Sequence, residues 1–190
     1  VAAHDQHRLG DVEKGFDEAG LVVEREFRTK TVHQGYIEPQ TATAWWTPDG
    51  NVTIWCSSQG HFGIRDSASQ ILGLPVSRVR VVPMEIGGGF GGKLQASLQP
   101  VAAVLSRKSG QPVSMTMSRA EVLEATGPAP GGLVRMKIGV TSEGRITAAQ
   151  GYLAFEAGAY PGSSLGGATA CMLSPYNIEN LVLDGYDVVD

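Results

Sequence analysis

The glycine-rich segment from Gly87 to Lys93 carries the strongest chemical signal in this 190-residue sequence. It reads GGGFGGK and lies between a predicted strand and a helical pattern. Because glycine has no Cβ, successive main-chain N–H groups can converge on an anion, with a helix N-terminus behind them. The alternative is a tight strand-to-helix crossing that needs glycine only for close packing. The glycine density favours a binding loop.

Two nucleotide-binding motifs nearly match this loop. Gly87, Gly92 and Lys93 fit a P-loop, but Leu94 stands where that motif needs Ser or Thr to hold Mg²⁺. A dinucleotide fingerprint needs an acidic residue about 20 positions later, and no Asp or Glu occurs in 94–119. An NADP-binding variant using Arg119 stays open. So do a phosphate-binding module and a structural assembly domain whose loop packs against a partner.

Two side chains are further candidates for ligand binding. Phe90, at the apex of the glycines, is expected either to form a wall beside a planar ligand or to anchor the loop in the core. Gln59 ends a predicted strand and offers both a donor and an acceptor, which suits an oxo group or another polar ligand. A cap on the following helix is the local alternative for Gln59.

The other polar residues form no recognisable catalytic or metal site. His33 and Glu38 are five positions apart, which does not fit the helical zinc motif and puts them on opposite faces of an extended strand. A structural role is expected for the segment that contains them. Solvent-exposed positions are expected for three acidic residues: Asp184, Asp187 and Asp190.

The composition is that of a globular protein. Fifteen basic against nineteen acidic residues give a net charge of −4, so a clustered basic footprint for nucleic acid is not expected. No uncharged apolar run approaches the roughly 18 residues that predict a membrane span. Cys56 and Cys171 lack metal-binding spacing, and a reduced, cytoplasmic protein is expected.

The elements that must position these motifs are predicted from periodicity and turn residues. Residues 1–19 are expected to be a terminal segment, frayed and then briefly helical, and 20–190 one domain, or two subdomains meeting near 118–132. Predicted strands cover 21–31, 41–47, 51–57, 79–86, 112–117, 133–140, 145–156 and 181–189. Predicted helices cover 61–72, 94–108 with a kink or late start at Pro100, and a short segment before Ser174. The class is α+β with mixed sheets and two or more helices.

Together the motifs resemble a known family. The run Ile86–Lys93 is similar to the signature of the molybdenum-binding subunit of the xanthine dehydrogenase and aldehyde oxidase family, which includes aerobic carbon monoxide dehydrogenase. Four further stretches agree in order: His33–Pro39, Ser58–His61 with Ile64-Arg65, Gly158–Tyr160 and Ser174–Tyr176. The resemblance covers about residues 20–190. It implies the first molybdenum-cofactor-binding domain of a molybdenum hydroxylase.

The resemblance also implies a function. A molybdenum-dependent oxidoreductase of this kind adds water-derived oxygen to a small-molecule substrate, and electrons leave through iron–sulfur clusters and FAD on partner domains or subunits. Gln59 would hydrogen-bond an oxo ligand of the molybdenum–molybdopterin cofactor, and no protein side chain would ligate the metal. The other residues expected to contact the cofactor are Gly88, Gly89, Phe90 and Gly91.

Two departures from the family pattern shape this expectation. Leu94 stands where purine-oxidising members have Glu, which favours an aldehyde or an aromatic heterocycle as substrate. The general-base Glu and an Arg-containing segment are expected beyond Asp190, in the remainder of the molybdenum subunit. The chain is therefore expected to hold one side of the site, to contain no catalytic residue and to be inactive alone. A separate bacterial-style subunit would carry the cytosine dinucleotide form of the pterin.

Overall fold

The computed structural model describes residues 1–160 and 162–189, which fold into two compact units. The loop unit is His33–Ala129, and the terminal unit combines Val1–Val32 with Pro130–Asp190. The strands are β1 Ala3–Leu9, β2 Leu21–Thr29, β3 Thr41–Trp46, β4 Val52–Ser57, β5 Val79–Met84, β6 Val113–Thr116, β7 Gly132–Val140, β8 Ile146–Gly158 and β9 Leu181–Val189. The helices are α1 Val12–Asp17, α2 His61–Leu72, α3 Gln99–Ser109, α4 Arg119–Ala125 and α5 Leu165–Cys171.

The loop unit is built on a four-stranded sheet in the order β5-β4-β3-β6. Strands β3 and β4 form the predicted antiparallel hairpin, with Ala42 opposite Cys56. Their turn contains Pro48 and Gly50, and Gly50 has a φ of +84°, a conformation that glycine adopts without strain. Strand β5 then adds parallel to β4 after the α2 crossover, so the sheet is mixed.

The core of the loop unit follows from alternation along β3 and β4. Successive side chains of a strand point to opposite faces, so every second residue meets the helices on one side. The buried residues of this cluster are Ala42, Ala44, Val52, Ile54, Cys56, Ile64, Ala68, Val79, Ala102 and Ala103. The last pair belongs to α3, and Ile64 and Ala68 belong to the predicted helix α2.

The topology brings together the two motifs that were predicted to bind a ligand. Strands β4 and β5 are parallel neighbours, and Ser57 lies opposite Met84 at their carboxyl ends. The chain after β4 carries Gln59 and the chain after β5 carries the glycine loop. Because both segments leave the same edge of the sheet, they emerge side by side, the usual location for a ligand site on such a sheet.

The terminal unit is a five-stranded sheet in the order β1-β9-β8-β7-β2. The β8–β9 pair is parallel and the other pairs are antiparallel, so the predicted α+β class with mixed sheets is confirmed in both units. Its core contains Ala149, Leu173, Ile178 and Leu183. Among the helices of the described residues, none combines the length and apolar character that crossing a membrane requires.

Several local predictions were wrong. The expected frayed end is β1, which pairs with β9 so that His4 lies opposite Tyr186. For helix α3, by contrast, the predicted late start is confirmed: it begins at Gln99, with Pro100 in its first turn, where proline is tolerated. Helix α4 was not predicted, although Ser118 and Glu121 have the spacing of the capping box that the structure contains.

The acidic residues near the end of the sequence also behave differently from the expectation. Asp187 is buried, with 3% of its surface exposed, and its Oδ2 accepts hydrogen bonds from the main-chain amides of Gly162 and Ser163 at 2.9 and 3.2 Å. Solvent exposure was therefore the wrong expectation for Asp187. Asp190, for which the same expectation was made, lies outside the described residues.

Candidate functional site

The glycine loop ends in a tight turn with Phe90 at its apex. The amide of Gly92 donates to the carbonyl of Gly89 at 2.8 Å, and the two residues between them, Phe90 and Gly91, have φ values of +50° and +91°. Positive φ at both central positions is the pattern of a type I′ turn, which normally uses Asn, Asp or Gly. Phe90 is the one non-glycine residue of the described chain with positive φ, and a bulky residue there is strained.

The ring of Phe90 points away from the protein interior. The residue is 72% exposed, so the alternative that it anchors the loop in the core is wrong. The ring lies beside Gly88 within its own loop, but most of its surface is exposed to solvent. The position of the Phe90 ring is suited to contact with a ligand or with another part of the protein outside the described residues.

The Gln59 side chain is bonded into the loop. Its Oε1 accepts from the amides of Gly91 at 3.0 Å and Lys93 at 3.2 Å, and the main-chain amide of Gln59 donates to the Lys93 carbonyl at 3.0 Å. Two N–H donors require an oxygen, so the orientation of the Gln59 carboxamide follows from its partners. The alternative that Gln59 caps α2 is wrong, because the N-cap is Gly60 and has no side-chain hydrogen bond.

The nitrogen of the same carboxamide is left available. Gln59 is exposed, and within residues 1–160 and 162–189 its Nε2 donates no hydrogen bond. A primary amide whose oxygen is already used can offer only its N–H groups to a ligand. The group that Gln59 contacts must therefore be a hydrogen-bond acceptor.

Three consecutive main-chain N–H groups of the loop are likewise available. The amides of Gly88, Gly89 and Phe90 donate to no atom of the described chain, whereas those of Gly87 and Gly91 donate to Glu38 and Gln59. Backbone N–H groups without partners are unusual unless water or a ligand satisfies them. Of the predicted cofactor-binding residues, Gly91 has its amide engaged within the protein and the other loop members do not.

The glycines are needed for close packing as well as for exposed amides. A Cβ on Gly89 would lie 2.5 Å from Oε1 of Gln59, and a Cβ on Gly92 would lie 2.6 Å from the Tyr36 ring. The helix N-terminus expected directly behind the loop is absent, because α3 starts only at Gln99. The loop is therefore shaped by Gln59 and Tyr36, without the support of a helix dipole.

Lys93 is buried and paired. Its side chain is 1% exposed and its Nζ lies 2.6 Å from Oε2 of Glu38. Burial raises the pKa of the Glu38 carboxyl, but hydrogen bonds from Lys93 and Gly87 and the charge of Lys93 outweigh it, so this pKa lies below its ordinary value. A P-loop lysine must reach phosphate groups. The Lys93 ammonium instead forms an ion pair with the Glu38 carboxylate.

The segment around His33 plays the predicted structural role. His33 Nδ1 accepts from the Gly35 amide at 3.0 Å, and its Nε2 lies 2.9 Å from the Thr126 hydroxyl, which itself donates to the Val122 carbonyl. The proton on His33 is therefore on Nε2. The contact of Glu38 with the glycine loop was not predicted from sequence, because the segment is irregular and strand geometry does not apply to it.

Two of the family-like motifs lie in the other unit. Gly158–Tyr160 begins at the last residue of β8 and Ser174–Tyr176 follows α5, both in the terminal unit. The exposed rings of Tyr160 and Tyr176 are 82% and 59% accessible. Among the described residues, no three His, Cys, Asp or Glu side chains are grouped as a metal site would require.

Comparison with known proteins identifies the family. The sequence profile of the molybdopterin cofactor-binding domain matches residues 1–189. The chain belongs to this family. The resemblance found in the sequence is thereby confirmed, and the profile match includes the first 19 residues.

Curated relatives of this molybdopterin-binding domain support the same family. The chain is 32% identical over 178 residues to the nicotinate dehydrogenase large molybdopterin subunit of Eubacterium barkeri, covering 92% of this chain and 42% of that protein. It is 32% identical over 162 residues to an indole-3-acetaldehyde oxidase of Arabidopsis thaliana, covering 83% of this chain and 12% of the relative. The chain thus spans less than half the length of these relatives.

Solved structures share the fold. The aldehyde oxidoreductase of Desulfovibrio gigas superposes with a TM-score of 0.80 at 23% identity, covering 100% of this chain and 21% of that one. Carbon monoxide dehydrogenase of Oligotropha carboxidovorans gives a TM-score of 0.74 at 27% identity, covering 97% and 24%.

The loop of this molybdopterin-binding domain fits such a cofactor in its donor chemistry. It presents the three free amides of Gly88–Phe90 and the Gln59 carboxamide nitrogen, which are all hydrogen-bond donors. Molybdopterin is anionic and rich in acceptor atoms, so these donor groups are complementary to it. The exposed Phe90 ring adds an apolar wall at the same loop.

Proposed function

We propose that this chain forms one side of the cofactor site of a molybdenum hydroxylase. The observation that carries the proposal is the arrangement of Gln59 against the glycine loop. The Gln59 oxygen is used to hold the loop, while its nitrogen and the amides of Gly88, Gly89 and Phe90 are left as donors. Membership of the molybdopterin-binding family supports the choice of ligand.

When bound, the cofactor supplies two-electron oxidation of an electron-poor carbon with oxygen from water. The chain's own contribution is to bind and orient acceptor atoms. The Gln59 Nε2 donates to one acceptor, and the loop amides bind others without needing to reorganise, because the turn is already closed by the hydrogen bond between Gly92 and Gly89. We propose that Gln59, Gly88, Gly89, Phe90 and Gly91 line the cofactor.

The substrate class follows from the residues beside the loop. Phe90 offers the face of its ring, and Leu94, which is 49% exposed, places an apolar side chain where a carboxylate would hold a purine. Apolar walls favour an aldehyde or an aromatic heterocycle over a substrate that must be held by charge. We therefore assign the substrate to that class.

The remaining parts of the reaction lie outside this chain in our proposal. The remainder of the molybdenum subunit supplies the general-base Glu and the rest of the pterin site, so the chain alone is inactive. Partner domains or subunits carry iron–sulfur clusters and FAD, the pterin is in the cytosine dinucleotide form, and the assembly is cytoplasmic. The support is family membership together with the small share of its relatives that the chain spans.

The proposal is tested by titrating the ¹⁵N-labelled protein with molybdopterin extracted anaerobically from a known molybdenum hydroxylase, and separately with ATP and NADP. We expect the pterin to shift the amide signals of Gly88, Gly89 and Phe90 and the side-chain NH₂ of Gln59. ATP and NADP should leave them in place, since Lys93 is not available to phosphates. Saturable shifts with ATP or NADP and none with the pterin would contradict the proposal.

A further inference from the structure

One carboxylate joins both ends of the glycine loop. Oε2 of Glu38 accepts from the main-chain N–H of Gly87, the first loop residue, at 2.8 Å, and from the ammonium of Lys93, the last, at 2.6 Å. The amide of Glu38 also donates to the Gly87 carbonyl at 3.3 Å. The start and the end of the loop are therefore tied to a single side chain from a distant part of the sequence.

The cation at the end of the loop has no access to water. The Lys93 side chain is 1% exposed, its Nζ lies 5.0 Å above the centre of the Tyr36 ring, and the hydroxyl of Ser57 is 3.5 Å away. A buried ammonium must be balanced by a nearby negative charge. Glu38 provides that charge, so the ion pair is a requirement of the burial of Lys93.

The turn within the loop, between the two ends that Glu38 joins, is strained at its apex. Phe90 has a positive φ, and its exposed ring lies beside Gly88 rather than in the core of the unit. A strained conformation persists only where the surrounding structure fixes it. The groups that fix it are Gln59, at Gly91 and Lys93, and Glu38, at Gly87 and Lys93.

We propose that Glu38 and Lys93 are positioning residues, whose ion pair holds Phe90 and the free amides in their binding arrangement before the cofactor arrives. The identity of the ligand rests on the proposed function, whereas the role of the ion pair in holding the loop does not depend on it. A loop ordered in advance loses less conformational entropy on binding, which raises affinity without any direct contact. Since the Lys93 side chain is buried, it acts through the loop.

The test uses nuclear magnetic resonance of the protein labelled with ¹⁵N and with fluorophenylalanine. The sequence has five phenylalanines, so five fluorine signals are expected, and Phe90→Leu assigns the one of interest. The variants are Lys93→Met, Glu38→Gln and the double variant that carries both substitutions. The matched controls are Lys108→Met and Glu124→Gln, exposed residues of the same charge in the same unit.

We expect each single variant to move or broaden the Phe90 fluorine signal and to speed hydrogen exchange at the Gly87 and Gly91 amides about tenfold, the effect of losing one charged hydrogen bond. The double variant leaves no unpaired buried charge, so its melting temperature should return toward that of the wild type. Its Phe90 signal and its exchange rates should stay altered. That separation distinguishes positioning of the loop from a role in stability alone.

The inference is overturned if exchange and the Phe90 signal in the variants equal those of the wild type and the controls, or if both recover with the melting temperature in the double variant. Should Lys93→Met fail to fold, Glu38→Gln carries the same measurements. Failure of the proposed function is a separate result: the titration with molybdopterin would leave the wild-type loop signals unshifted while the variants still altered the loop.

Discussion

The side-chain oxygen of Gln59 lies 3.0 Å from the amide nitrogen of Gly91. The same oxygen accepts from the Lys93 amide, so one carboxamide group holds the second half of the glycine loop. Its nitrogen is left facing away from these donors. Gln59 thus holds the loop through its oxygen, and we propose that its nitrogen binds a ligand; two substitutions can distinguish these roles.

Replacement of Gln59 by Glu should leave the loop in place and weaken cofactor binding. A carboxylate still accepts from Gly91 and Lys93, but it cannot donate, and the loss of one hydrogen bond of about 1.4 kcal/mol corresponds to about a tenfold lower affinity. Gln59→Ala should lose both functions. Hydrogen exchange of the Gly91 amide measures whether the loop keeps its conformation, and the amount of pterin retained measures binding. Equal pterin content in Gln59→Glu and in the wild type would disprove a donor role for Gln59.

Replacement of Gly89 by Ala should displace Gln59. The new Cβ would lie 2.5 Å from Oε1 of Gln59, a distance that requires the carboxamide or the turn to move. We expect lower pterin retention with only a modest change in melting temperature, because the Gln59 side chain is exposed and can move into solvent. The control is Gly166→Ala, since Gly166 lies in α5 with open space around its Cα. If Gly89→Ala retains the cofactor as well as the control does, the close contact has no role in binding.

The stability of the protein should depend on pH through Glu38. The pKa of Glu38 is below its ordinary value of 4.5 in the folded state, so its contribution is fully present above pH 4.5 and is lost as the pH falls through the folded pKa. In Glu38→Gln this part of the acid dependence should be missing. Urea unfolding of both proteins between about pH 3 and 7 measures the difference. If the free energy of unfolding varied with pH in the same way in both proteins, the result would be inconsistent with a charged Glu38.

Removal of the buried carboxylate of Asp187 should destabilise the terminal unit. Asp187→Ala leaves the amides of Gly162 and Ser163 without their acceptor, at a cost of about 1–3 kcal/mol in the free energy of unfolding. Asp187→Asn keeps an acceptor oxygen and should cost less. The exposed Asp17 provides the control, Asp17→Ala, with an effect within about 0.5 kcal/mol. Chemical denaturation measures all three, and equal stability of Asp187→Ala and the control would contradict the assignment.

Local sequence patterns predicted most of the loop unit. The Pro48-Asp49-Gly50 turn predicts the β3–β4 hairpin because each residue has a specific turn chemistry. The period of apolar residues predicts α2, and Gly73, with a φ of +64°, ends it as a left-handed cap. These features depend on neighbours in the sequence, so a pattern is sufficient to find them.

Features that depend on distant partners could not be predicted in the same way. Strand β1 is polar and shows no alternation, and its pairing with β9 joins residues about 180 positions apart. The burial of Asp187 depends on Gly162 and Ser163, which are brought to it by the fold of the terminal unit. Nothing in the local sequence of either segment distinguishes it from a solvent-exposed one.

The residues of the candidate site were predicted, but the hydrogen bonds and the ion pair that connect them were not. Gln59 and Phe90 were both identified as candidates. The structure excludes a helix cap for Gln59 and a core anchor for Phe90, and their contact with a ligand stays a prediction. A structural role was predicted for the segment that contains Glu38, but no contact partner of Glu38 was predicted. Its link to Lys93 depends on two strand pairs. The antiparallel β3–β4 pair places residue 38 beside the end of β4, and the parallel β4–β5 pair brings residues 59 and 93 to the same edge of the sheet.

The most direct test of the central claim is the molybdenum and pterin content of the molybdenum subunit that we propose contains this chain. Molybdenum is measured by plasma mass spectrometry and the pterin by fluorescence after oxidation, in the wild type and in Gln59→Ala. We predict about one molybdenum and one pterin per wild-type chain, as expected for one site, and a marked loss of both in Gln59→Ala. Absence of both from the wild type, or full retention in Gln59→Ala, would contradict a cofactor site built on Gln59 and the glycine loop.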